Sequence, residues 1–135
     1  MRKMLFFTVL APIWVFSQNT ISVHINNVES NEGQIKVAIY DSDDSFLSFE
    51  QVYRGSSVKA QKGQVILRME DIPSGEYALA VFHDENGNGK LDTNWLGIPR
   101  ERVAFSHGKM KTFGPPKYKE CAFKVTADHE ISIDL

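Results

Sequence analysis

The 135-residue chain carries one cysteine, Cys121. That excludes an intrachain disulfide and any metal centre built on paired cysteines. Its 15 basic and 17 acidic residues are interspersed, so there is no basic stripe with interleaved aromatics and no support for nucleic-acid binding. A cationic amphipathic helix is missing too, which removes the usual device for lying on a membrane surface. The apolar run Met4 to Phe16 is shorter than the roughly 20 residues that span a bilayer. No internal repeat or low-complexity tract interrupts the rest, and no stretch beyond that run sustains a 3.6-residue apolar stripe.

What the N-terminus does contain is the outline of a secretory signal peptide. Met1, Arg2 and Lys3 give a positive start, the apolar run follows, and Val15-Phe16-Ser17 precedes Gln18 at the expected cleavage point. Residues 1–17 are read as that segment and 18–135 as one domain, exported to the periplasm or the medium. Loss of Arg2 and Lys3 with it takes the formal net charge from −2 to −4. No cysteine stands directly after the cleavage point, so nothing is available there for a lipid anchor. The remaining chain is long enough to bury a core without staples, and a monomer is expected. Cys121, in ECAFKV, reads as a small buried hydrophobe.

Periodicity sets the fold class. Ile21, Val23 and Ile25 alternate with Ser22, His24 and Asn26; Ile35, Val37 and Ile39 repeat the pattern after the turn-like Glu29 to Gly33. Val65, Leu67 and Met69 precede Pro73-Ser74-Gly75, and Tyr77, Leu79 and Val81 follow it. Phe123 and Val125, then Ile131, Ile133 and Leu135, form a last pair around Thr126 to His129. Three hairpins are the simplest reading, and together they predict an all-β antiparallel two-sheet sandwich, with a small closed barrel as the alternative. The best helical stretch, SFLSFEQVYRG, predicts at most one or two turns.

The motif that carries chemistry is DENGNGKLD. Asp84, Asn86 and Asn88 occupy positions one, three and five, Gly89 position six and Asp92 position nine, the opening of a calcium loop. Lys90 at position seven would offer its carbonyl. Calcium, a hard cation taking six to eight oxygens, suits such carboxylate and amide donors better than zinc or copper do. Trp95 stands at position twelve, where an EF-hand needs a bidentate Glu, so the loop is read as strand-borne, completed by Glu101 or Asn94, with Glu85 facing water. A plain turn accounts for the two Asn-Gly pairs but not for ligand spacing across nine polar residues.

Weaker constellations remain. His83, Asp84, Ser106 and His107 could be written as a triad, but no nucleophile elbow or oxyanion-hole motif accompanies them. Zinc on His83, His107 and Asp84 lacks short ligand spacing. Asp41, Asp43 and Asp44 form a second acidic turn, placed near the first only if both cap one end. Trp95, Phe105, Phe113, Pro115, Pro116 and Tyr118 enrich the long connection before the last strands; packing over the open end of the sandwich is favoured over a ligand groove.

The run HDENGNGKLDTNWLGIPRERVAFS, then FGPPKYKECAF and ISIDL, closely resembles the bacterial domain of unknown function family 2141 over nearly all of Thr20 to Leu135. The resemblance implies a small exported or cell-envelope protein, an immunoglobulin-like or transthyretin-like sandwich, with no established activity. Its recurrent positions fall on Asp84, Asn86, Asn88, Gly89, Asp92, Gly97, Pro99, Glu101, Phe105, Gly114, Pro115 and Pro116, while His107-Gly108-Lys109 and Lys117 to Glu120 depart from the family pattern. The resulting expectation is a non-enzymatic module with a calcium loop that binds an envelope protein or a glycan. The rival is a small hydrolase or carbohydrate-binding accessory protein with a groove at His83, Trp95, Glu101, His107 and Tyr118.

Overall fold

A computed structural model describes residues 9–14 and 17–135. Most of the expected signal segment, residues 1–8 and 15–16, lies outside the described residues. Among the described residues, no helix is long and apolar enough to cross a membrane.

Among the described residues, eight strands form two packed sheets. They are β1 (Gln18–Val28), β2 (Gln34–Tyr40), β3 (Arg54–Lys59), β4 (Gly63–Pro73), β5 (Gly75–Asp84), β6 (Val103–Phe105), β7 (Phe123–Val125) and β8 (His129–Asp134). The first sheet has the order β4-β1-β8, and the second β3-β2-β5-β6, with β7 also pairing β5. All pairings are antiparallel except β1 with β8. The result is the two-sheet sandwich expected, mostly antiparallel, and not a barrel.

None of the three expected hairpins forms. β1 pairs with β4 and β8, β2 with β3 and β5, and β7 with β5, so each tight turn carries the chain from one sheet to the other. The alternation itself is as expected: Ile21, Val23 and Ile25 of β1 face Ile35, Val37 and Ile39 of β2 across the core, joined by Leu67, Leu79, Val81 and Ile131. Alternation fixes which face is buried, and an arch between sheets satisfies it as well as a hairpin within one.

The second sheet is covered on part of its outer face as well, so that its central strand, β5, is buried on both sides. Its outer face carries Tyr40, Ala78, Ala80 and Phe105, covered by Tyr118 and Cys121. Those two belong to a single helical turn, α1 (Tyr118–Cys121), which no periodicity in the sequence announces. The stretch expected to hold at most one or two helical turns forms a short 3-10 turn, Phe49–Gln51. The long connection therefore covers the flank of a sheet rather than the end of the sandwich. Its aromatics divide: Phe105 and Tyr118 pack, whereas Trp95 and Phe113 stand out in solvent.

Candidate metal centre

The acidic loop leaves the end of β5, the central strand of the second sheet. Side-chain alternation puts Asp84 on the outer face with Ala80 and Phe82, and His83 on the inner side with Val81. Gln34 of β2 pairs with Asp84, while Tyr40 at the other end of β2 pairs with Ala78. Asp41, Asp43 and Asp44 thus follow the opposite end of the strand, and the two acidic clusters do not meet.

Within the loop the chain folds onto its own side chains. Asp84 Oδ2 accepts the Gly89 N–H at 2.8 Å, Asn86 Oδ1 accepts from Asn88 N–H at 3.2 Å, and Asn88 Oδ1 accepts from Lys90 N–H at 2.9 Å. Each acceptor turns the backbone by one step, and Gly87 and Gly89 take the left-handed conformations the tight path requires, with φ of 68° and 77°. The Nδ2 groups of Asn86 and Asn88 converge on the Asp92 carboxylate at 2.6 to 3.0 Å. Those donors hold the Asp92 carboxyl below its ordinary pKa, the Asn88 contact most strongly.

Glu101 arrives from the far side of a ribbon, where its Oε2 accepts the Asp92 N–H at 3.1 Å. The ribbon is closed by the Thr93–Pro99 bridge and by Arg100 N–H donating to the Asp92 carbonyl at 2.7 Å. Of the two residues considered for completing the ligand set, Glu101 is the one brought beside Asp92. Asn94 instead accepts the Leu96 and Ile98 N–H groups at 2.9 and 3.0 Å and shapes the ribbon's tip. Lys90 is exposed, and Glu85 faces water as expected.

Two carboxylate oxygens here have no hydrogen-bond partner and no solvent: Asp84 Oδ1 and Glu101 Oε1. Asp84 is only 1% exposed. Burial pushes the Glu101 carboxyl above its ordinary pKa, against the lowering effect of the Asp92 N–H, and the charges of Asp92 and Asp84 push it further up. Among the described residues, no three His, Cys, Asp or Glu side chains are grouped to hold an ion by themselves. The oxygens around the loop are instead of mixed kind. Three acids stand with two amide oxygens that each accept one N–H and retain a second lone pair. These donors are all hard oxygens, and two of the carboxylate oxygens are buried and unpartnered.

A pH prediction follows from Glu101. With chelator present, its raised folded pKa means a contribution that is fully present below the ordinary Glu pKa and lost as pH rises through the folded value. Asp92, lowered, contributes above its ordinary pKa and loses that contribution as pH falls through its folded value, a more acid window. Thermal melts of Glu101→Gln from about pH 4 to 7 should lack the Glu101 decline and end more stable than wild type at neutral pH. A parallel decline in both proteins would contradict the assignment.

The other expected site residues are scattered. His83 is buried, its Nε2 donating to the Glu32 carbonyl at 2.7 Å, with Nδ1 3.7 Å from Glu85. Ser106 is 0% exposed and bonds only to backbone. His107 is exposed, edge-on to Phe123, and Tyr118 donates to the Glu76 carbonyl at 3.3 Å, its phenol pushed up to about 12 chiefly by burial. Glu101 and His107 line different clefts, and the five residues named for a sugar or hydrolase groove do not share one. Cys121 is buried, as expected, with its thiol pushed up to about 11, mainly by burial.

Fold and loop together define a small all-β sandwich domain whose central strand ends in an acid-and-amide turn. The chain belongs to a bacterial family: the model described as "Uncharacterized protein conserved in bacteria (DUF2141)" matches residues 23–133. No curated protein and no solved structure matches it.

Proposed function

We propose that this is an exported, non-enzymatic β-sandwich module whose 84–92 loop, with Glu101, binds calcium and stiffens the end of the sandwich for contact with an envelope protein or glycan. The observation that carries the calcium reading is the pair of buried, unpartnered oxygens, Asp84 Oδ1 and Glu101 Oε1, beside Asp92. Buried acceptors are almost always satisfied, and like charges held together call for a proton or a cation. Asp84, Asn86, Asn88, Asp92, Glu101 and the Lys90 carbonyl would hold the ion, which neutralises the acids. Export rests on the charged start and short apolar run of residues 1–17.

Thermal unfolding of residues 18–135 in chelator and in millimolar calcium tests the metal. Binding to the folded state stabilises by RT ln(1 + [L]/Kd), about 1.4 kcal/mol at ten times Kd, and extracellular sites of this class have Kd of about 10⁻⁴ to 10⁻³ M. Asp84→Asn keeps an acceptor for the Gly89 N–H and removes the charge; it should abolish the calcium gain while melting normally in chelator. Magnesium should give a smaller gain, because it holds its waters and demands octahedral geometry. Superimposable wild-type melts in the two buffers would sink the proposal.

A further inference from the structure

A second site lies on the same face of the second sheet as Asp84. A cleft of about 600 Å³ opens over β2 and β5, within the range of small-molecule sites. Its floor holds Ala38 and Ala80, direct partners in the β2–β5 register, so the sheet presents two methyl groups where larger side chains would fill the space. One wall is the 93–99 ribbon, carrying Leu96 and Ile98; the other is a tight turn closed by the Lys111–Gly114 bridge, carrying Phe113, with Met110 beside it.

These walls are cross-bonded rather than collapsed. Asn94 pins the Leu96 and Ile98 backbone, and Lys111 and Gly114 exchange hydrogen bonds of 2.8 and 3.3 Å. Leu96 and Ile98 consequently remain 61% and 55% exposed beside an apolar floor on which they could otherwise have packed. Clustered exposed apolar side chains around a concavity mark a binding surface. Charge selects the occupant. Lys111 is the one charged residue lining the cleft, and its ammonium is occupied by Glu120 at 2.6 and 2.8 Å. A carboxylate, phosphate or ammonium group would enter without a free counter-ion, at a high desolvation cost.

We propose that this cleft binds an uncharged, apolar small ligand, an aliphatic chain or a neutral aromatic, independently of the calcium reading. The test uses residues 18–135 with the neutral fluorophore N-phenyl-1-naphthylamine, titrated in calcium and in chelator. Saturable one-site uptake in either buffer is expected, displaced by decan-1-ol and about tenfold less well by decanoate or decylamine, whose charges resist burial. Leu96→Asp combined with Ile98→Asp alters only exposed wall positions and should weaken uptake about tenfold with an unchanged melting curve. Several results would overturn the proposal. They are no saturable uptake in both buffers, uptake indifferent to the wall variant, or displacement by the charged chains equal to that by the alcohol. A concentration-dependent dimer in sedimentation, abolished by the wall variant, would instead assign the cleft to a second copy of the chain.

Discussion

Gly33→Ala should lower the melting temperature by roughly 10 °C or more, the effect of about 3 kcal/mol on a domain of this size. Gly33 sits at φ 68°, a conformation that already disfavours a side chain. Steric overlap adds more, because a Cβ here would lie 1.9 Å from the Asp84 carbonyl oxygen and 2.8 Å from Glu85 Cα, both backbone atoms. No side chain can swing aside. The start of β2 must separate from the end of β5, putting at risk the Gln34–Asp84 pairing and the Ala60 N–H to Gly33 carbonyl bond of 3.1 Å. Because the displaced atoms belong to Asp84, the variant should also lose most of the calcium gain. Differential scanning calorimetry in both buffers checks both parts, and an unchanged melt would refute the close-packing account.

The arch that carries the chain from β1 to β2 is not legible as such in the sequence. The pattern ESNEG announces a turn, but whether the turn closes a hairpin or crosses between sheets depends on β4 and β8 competing for β1, and both are remote in sequence. Local alternation at Ile21 to Ile25 and Ile35 to Ile39 identified the buried residues correctly, since burial parity is a property of each strand alone. Partner choice is a property of the whole core. The outer-face layer was hidden for a related reason: Ala78, Ala80 and Phe82 alternate with Tyr77, Leu79 and Val81, so β5 is buried on both faces, and its near-continuous apolar run, ALAVF, was the available sign of it.

The candidate site was more legible, because its spacing is local. Positions 84, 86, 88, 89 and 92 are tied together by hydrogen bonds within a single nine-residue loop. Glu101 was reachable from sequence only as one of two acceptors near the loop, and the ribbon turn at Asn94 is what selects it. The groove built from His83, Trp95, Glu101, His107 and Tyr118 required long-range convergence. Strand parity opposes it, since His83 points to the inner side of β5 whereas Tyr118 packs on the outer face of the same sheet.

Ser106→Ala should cost about 2 to 4 kcal/mol, although it removes a single oxygen. Along the far edge of β5, β6 pairs with Ala80 to Phe82 and β7 with Gly75 to Tyr77, leaving the backbone between them to be completed by something else. Ser106 completes it. Its N–H donates to the Leu79 carbonyl at 3.1 Å, while its Oγ accepts the Leu79 N–H at 2.8 Å and donates to the Cys121 carbonyl at 2.7 Å. Alanine leaves the Leu79 N–H and the Cys121 carbonyl without that partner in a site with no solvent, and each buried orphan costs roughly 1 to 3 kcal/mol. Urea unfolding should show a lower midpoint at unchanged slope, and the Leu79 amide should exchange its hydrogen faster. A variant within about 0.5 kcal/mol of wild type would refute the bridging role.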